Sequence, residues 1–317
     1  MTSQPALSTK APVVWLLTDN KAGHLNQLKG LGNRLRVLSG ASLYWLDTTE
    51  IITPLWRALT GIAPHLDAAL PNPDLVIAAG TGTHRLLLSL RRKRHARTIV
   101  LMKPGFPMRW VDAAIIPEHD DVRPDKHTLI TEGVLNAITP MARLTDKPEA
   151  LVLIGGPSRH YEWDDDLIFD QLMRLMQTYP QWRWTISSSR RTPDHLKARL
   201  EALAGPKTTV TDPERTHANW LPHTLAASRA IWVTPDSTSM VFEALTSGVP
   251  TGLFELPTRP QSRLAKGVAE LVARGRVAHW RDHHAIMEPR REVSTPLWEA
   301  DRAAHWLIDR YLSERAS

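Results

Sequence analysis

The stretch Val233-Thr-Pro-Asp-Ser-Thr-Ser-Met-Val-Phe-Glu-Ala-Leu-Thr-Ser-Gly-Val-Pro250 decides the fold. The apolar run over 230–234 predicts a buried strand, followed by a Pro/Asp/Ser turn. A helix then runs to Gly248, just ahead of Pro250. Asp236 and Ser237 suit the helix N-cap, with small hydroxyl residues, Ser239 among them, and Met240 filling the first turn. Free N–H groups and the positive end of a helix dipole would then face outward, where a diphosphate can sit. Glu243, further along the helix, is an acceptor suited to ribose hydroxyls. A nucleotide-sugar site and an ordinary capped helix of an α/β domain both fit this segment.

Working outward, short apolar runs alternate with longer helical patterns, the mark of a parallel sheet covered on both faces. Strands are predicted over 13–18, 43–46, 74–79, 98–102 and 113–116, and helices over 23–39, 54–70 and from the Gly80 turn to 90. Residues 139–149 are polar and punctuated by prolines, as in a linker. A second series begins with a strand at 151–154 and continues with a helix over 164–179 and a strand over 182–187. Helices over 193–204 and 219–227 precede the opening segment. The expected fold class is α/β: two Rossmann-like domains facing a cleft, the GT-B type. Residues 1–140 would form an acceptor-side domain and 150–290 a nucleotide-sugar domain. An amphipathic helix in 295–317 would pack back towards the first.

Composition narrows the classes. A chain of 317 residues can bury two cores. The absence of cysteine excludes disulfides, thiolate nucleophiles and Cys-based zinc sites. Residues 1–12 lack the apolar core of a secretion signal, and no apolar run approaches the roughly 20 residues that span a bilayer. The expectation is a cytoplasmic protein, peripheral at most on the inner face of the membrane. Its formal charge is +6, with clusters at Arg91-Arg-Lys-Arg94, Arg190-Arg191 and Arg290-Arg291. They suit phosphate-rich ligands or an anionic membrane surface, or are simply solvated helix ends. No nucleic-acid module is recognisable, so nucleic acid is not an expected partner. Twelve tryptophans are present, and those beside basic residues (Trp56, Trp110, Trp182, Trp184, Trp280) read as packing groups.

In open α/β sheets ligands meet the carboxyl ends of the strands. After the first strand comes Thr18-Asp-Asn-Lys-Ala-Gly-His-Leu-Asn-Gln27. Gly23 permits close backbone approach, His24 is a candidate base, and Asp19 could orient its imidazole or bind the acceptor with Asn20. After the third strand, Gly80-Thr81-Gly-Thr-His84 is a weak phosphate or acceptor loop. Lys103 offers a cation, and His119 with Asp120 is a second acid/base pair or a solvated loop. In the second half, Gly155-Gly156 and the run Ser187-Ser188-Ser-Arg190-Arg191 offer amides, hydroxyls and guanidinium groups to a diphosphate. His-Glu-x-x-His and EF-hand patterns are absent, so no metal is expected, and no cofactor. Asp164-Asp-Asp166 reads as the acidic opening of a helix. Gly-x-Ser-x-Gly is absent, which argues against a serine hydrolase.

Residues 236–250, with Glu243 followed by Ala-Leu-Thr-Ser-Gly-Val-Pro, resemble the donor segment of GT-B glycosyltransferases such as the one that makes lipid II. The resemblance implies that Glu243 holds the ribose, Ser237 to Met240 meet the diphosphate and His24 after Gly23 acts as base. The chain departs from that pattern in its first loop, where a glycine-rich run is reduced to Gly23, and in Ser237, which replaces a glycine. Over nearly its whole length the sequence is similar to the mitochondrial fission family named for elongated mitochondria in plants, which has bacterial members. That likeness rests on residues 18–27, Lys103-Pro, Pro117-Glu-His-Asp120, Ile154-Gly-Gly-Pro157, Ser187-Ser-Ser-Arg-Arg191 and Asp236-Ser-x-Ser-Met240. The expected function is an inverting, metal-independent glycosyltransferase taking a nucleotide-diphosphate sugar, UDP-sugar foremost, for a cell-envelope glycoconjugate. A non-catalytic membrane-surface adaptor and a nucleotide-sugar epimerase are the alternatives.

Overall fold

The computed structural model describes residues 11–93, 95–217, 219–288 and 295–313. Arg94 of the first basic cluster and Arg290-Arg291 lie outside them. The chain divides into two compact units, one of residues 1–137 with 298–317, the other of residues 138–297.

Each unit is built on a six-stranded parallel sheet. In the first the strands are β1 (Val13–Thr18), β2 (Ser42–Asp47), β3 (Leu75–Ala79), β4 (Arg97–Leu101), β5 (Ala113–Pro117) and β6 (Thr128–Thr131), in spatial order β2-β1-β3-β4-β5-β6. The second holds β7 (Glu149–Leu153), β8 (Arg183–Ser187), β9 (Thr208–Thr211), β10 (Ala230–Val233), β11 (Thr251–Leu253) and β12 (Ala278–His279), ordered β12-β11-β10-β7-β8-β9. Central strands such as β1, β3, β7 and β10 are almost wholly buried, because helices cover both sheet faces and only continuous apolar runs fit there. The strand order reverses between β1 and β3 in one sheet and between β7 and β10 in the other. These two switch points are where an open α/β sheet parts its loops and can admit a ligand.

Side-chain chemistry sets the helix limits. Asp164 accepts a 2.9 Å hydrogen bond from the Leu167 amide and caps Asp165–Thr178. Ser262 does the same for Arg263–Ala273 at the Ala265 amide. The helix Glu299–Tyr311 belongs to the first unit. Its Ala300, Ala303, Ala304 and Leu307 share a buried core with Leu28, Leu31 and Leu35 of the helix Ala22–Ser39. Gly30 makes that region tight, since a Cβ there would lie 2.0 Å from the Asn136 carbonyl oxygen.

Several expectations are corrected. The helix expected over 54–70 is only Leu55–Thr60, because Gly61 takes a left-handed conformation and its N–H returns to the Arg57 carbonyl. Strands β6, β9, β11 and β12 and the helix Arg263–Ala273 were not anticipated. Of the four strands, β6 and β9 carry threonine at both ends, and none exceeds four residues, so there is little apolar signal to read. Trp182 and Trp184 pack into the second core as expected, whereas Trp56 is 51% exposed.

Candidate active site

In the first unit the switch point gathers residues from two strand ends. Asp19 follows β1 and His24 sits in the first turn of the helix Ala22–Ser39, five residues on. That spacing brings His24 Nδ1 to 2.8 Å from Asp19 Oδ1. The Asp19 side chain is almost fully buried and that of His24 about one-fifth exposed. Burial works to raise the Asp19 carboxyl, but His24 and the Lys21 amide and ammonium outweigh it and hold the group below its ordinary value. An ionised carboxylate accepts only, so Nδ1–H donates to Asp19 and Nε2 is left as the proton acceptor. The second oxygen, Asp19 Oδ2, has no hydrogen-bond partner among the described residues, although Lys21 Nζ lies 3.5 Å away.

Gly80, at the end of β3, closes the arrangement. Its φ of 89° belongs to glycine, and a Cβ would come within 2.1 Å of His24 Nδ1 and 2.9 Å of Asp19 Oδ2. Gly82 is similarly pressed against the Asp19 Cβ. Thr81 is exposed beside it, and Thr81 and Gly82 line a cavity of about 370 Å³ with Thr48, Ile51, Thr53, Arg85 and Leu86. Gly23 is open, with nothing within 4 Å of a Cβ. Asn20, at a φ of 59°, donates to Asp47 at the end of β2. Lys103 is tied to Asp120: its amide meets Oδ2 at 3.3 Å and its ammonium the carbonyl at 3.2 Å. His119 shares that turn, half-buried.

His84, which the sequence marks only as the end of the Gly80 loop, interacts electrostatically with His24 and Asp19. It packs edge-on to Phe106 at 4.9 Å. Burial first, then repulsion from His24, lower it from the ordinary 6.5 against the pull of Asp19. A lowered folded value means that the unfolded chain binds the proton first. Stability should therefore decline as pH falls below about 6.5 and level off below the folded value. His84→Asn should flatten that decline in melts recorded across this range. An unchanged slope would remove His84 from the cause.

In the second unit the switch point lies between the loops after β7 and β10. Here the structure corrects two expectations. The Gly155 amide donates to Thr234 Oγ1 at 2.7 Å and the Gly156 amide to Asp236 Oδ2 at 3.1 Å, so neither is free for phosphate. Asp236 does not cap the helix. Its fully buried side chain turns inward to Arg191, whose Nη2 donates to Oδ2 at 2.7 Å. Arg191 also donates to the Gly156 and Pro157 carbonyls at 3.0 Å. A Cβ on Gly155 would strike Asp236, and one on Gly156 would lie 2.0 Å from the Arg191 carbonyl oxygen. Thr192, unread in the sequence, braces the same loop by donating to the Gly155 carbonyl. Ser188 is buried beside it, its amide on the Thr211 carbonyl, while Arg190 is exposed. Burial, then the charge of Asp236, raises the Tyr161 hydroxyl well above its ordinary value.

What stays open is the helix Thr238–Ser247. Its N-cap, Ser237, makes no side-chain capping bond. The amides of Thr238, Ser239 and Met240 have no acceptor among the described residues, and all three residues are half-buried. Glu243 is also half-buried and stands three and four residues beyond Met240 and Ser239, on their face of the helix. Gly248 ends the helix at a φ of 79°.

The family described as Mitochondrial fission ELM1 matches residues 22–311. A Rickettsia prowazekii relative, the uncharacterized protein RP120, is 24% identical over 300 residues, covering 77% of this chain and 83% of its own. Among solved structures, the UDP-GlcNAc 2-epimerase from Methanocaldococcus jannaschii superposes with a TM-score of 0.54 at 12% identity, over 94% of this chain and 99% of that one. Medicago truncatula UGT71G1 complexed with UDP-glucose gives 0.53 at 9% identity, over 98% and 99%. At such identities the likeness is one of fold: two Rossmann-like domains of the GT-B type.

Proposed function

The chain belongs to the mitochondrial fission ELM1 family and has the GT-B fold, and from that premise we propose that it is an inverting glycosyltransferase taking a nucleotide-diphosphate sugar. The observation that carries the reading is the uncapped first turn of the helix Thr238–Ser247 at the β7/β10 switch point. Three N–H groups and the helix dipole supply the charge stabilisation that a leaving diphosphate needs, without calling on a cation. Glu243, on the same face, accepts from the ribose hydroxyls. UDP-sugars are the leading donors, since UDP-glucose occupies UGT71G1. A cell-envelope glycoconjugate as acceptor rests on the likeness of residues 236–250 to the lipid II enzyme.

In this reading His24 Nε2 removes the acceptor hydroxyl proton while Asp19 holds the ring. The acceptor oxygen attacks the anomeric carbon, the bond from that carbon to the diphosphate oxygen breaks, and the nucleoside diphosphate leaves with the electron pair. Attack opposite the leaving group inverts the anomeric centre.

A non-catalytic adaptor is the second reading. It is favoured by the Gly155–Gly156 loop, whose amides are already satisfied internally. A thermal-shift screen of UDP-, ADP- and GDP-sugars separates the two. At a hundredfold excess over Kd a bound nucleotide sugar should add about 2.7 kcal/mol of stability. Glu243→Ala should weaken binding by about 10–100-fold, the loss of a charge-assisted hydrogen bond to ribose. A screen in which no nucleotide sugar moves the melt would leave the adaptor. Interconversion of the sugar without any acceptor would point to epimerisation.

A further inference from the structure

Beside the cavity lined by Thr81 and Gly82 the chain carries an apolar face that nothing among the described residues covers. Ile52 is 87% exposed, and Leu55, Trp56, Leu59 and Ile62 are each about half exposed. Leu55, Trp56 and Leu59 form a stripe on one face of the short helix Leu55–Thr60 by their spacing of three and four residues, and Ile52 and Ile62 flank its two ends. The opposite side, through the buried Ala58, rests on the helix His84–Leu90 and its following turn. The stripe is therefore held on a rigid support rather than hanging from a loose loop.

The surroundings of the stripe are cationic. The Arg57 guanidinium lies over the Trp56 ring at 4.7 Å and donates to the Ala63 carbonyl. Arg91 donates to the Ala58 and Leu59 carbonyls, which close the C-terminal end of the helix. Exposed Arg92 runs its aliphatic stem beside Gly61. No Asp or Glu occurs in the sequence between Glu50 and Asp67, nor between Asp74 and Asp112. Apolar side chains projecting from a basic ring, with a tryptophan among them, match the two layers of a lipid surface: acyl chains below and anionic headgroups around. A second copy of this chain fits poorly, because an isologous contact would set one cationic rim against another.

We propose that residues 52–62, with Arg57, Arg91 and Arg92, dock the first unit on an anionic lipid surface, inserting Ile52, Leu55, Trp56 and Leu59 to headgroup depth. The proposal goes beyond the nucleotide-sugar reading and stands without it.

The test is cosedimentation of the full chain with phosphatidylcholine vesicles, with and without phosphatidylglycerol. The wild type should bind the anionic vesicles at least about tenfold more strongly than the neutral ones, and raising salt to about 1 M should release it. Trp56→Ser with Leu59→Ser should lose about tenfold or more in partitioning, and Arg92→Glu about tenfold. Both variants should melt like the wild type, since the altered side chains are exposed. Equal binding to neutral vesicles, no binding to either, or variants that partition like the wild type would each overturn the proposal. So would light scattering that shows a dimer dispersed by the double substitution in a chain that ignores vesicles. The nucleotide-sugar melts of the same variants keep this outcome separate from the catalytic one.

Discussion

His24→Ala is expected to lower the rate of glycosyl transfer by about 10²–10⁴-fold, the usual contribution of a positioned general base. The loss should fall on turnover and leave nucleotide-sugar binding intact, because the proposed diphosphate and ribose contacts all lie in the second unit. Asp19→Asn is expected to fall in the same range for a different reason. An amide presents a donor as well as an acceptor to the ring, so the imidazole loses the constraint that keeps Nε2 free to accept. Nucleotide release from the donor selected in the thermal-shift screen measures the rate, and the donor-induced shift in each variant measures binding. If His24→Ala turns over at the wild-type rate, the Asp19–His24 pair is structural and the base lies elsewhere, with His119 next to be examined.

The second large effect concerns stability. Arg191→Ala strips the buried Asp236 carboxylate of its cation and leaves it the Gly156 amide. Removing one partner of a buried pair costs about 3–5 kcal/mol, and the lower end applies here because the Arg191 side chain is 43% exposed. The partner variant separates pairing from packing. Combining Arg191→Ala with Asp236→Asn removes the stranded charge, so the double variant should recover a good part of the loss in denaturant titrations. Strictly additive losses would mean that the ion pair does not organise the loop.

These two sites differ in how much of them can be read from the chain itself. Asp19 and His24 are five residues apart, and a strand end running into a first helical turn brings them together by local geometry alone. Gly80 completes that arrangement from 56 residues further on, so its closeness to His24 depends on β1 pairing with β3, which no local pattern states. The second unit shows the reverse failure. Asp236 stands one residue ahead of the N-cap Ser237, and by local rules its carboxylate is a candidate to bond the helix amides. A guanidinium 45 residues earlier in the chain draws it inward instead, and the helix is left uncapped. The central strands were legible because burial on both faces demands unbroken apolar runs. Of the outermost ones β2 was legible, but β6, β9 and β12 were not, because β12 is two residues long and β6 and β9 are only partly buried.

The helix Glu299–Tyr311 adds a consequence for biogenesis. During synthesis the apolar stripe of Ala22–Ser39 leaves the ribosome long before Ala300, Ala303, Ala304 and Leu307, the side chains that share its core. All of residues 138–297 are made in the interval, so the later unit can be complete while the earlier one still waits for its last helix. A nascent chain stalled before residue 299 therefore displays Leu28, Leu31 and Leu35 with part of their packing missing, the kind of surface that holding chaperones recognise.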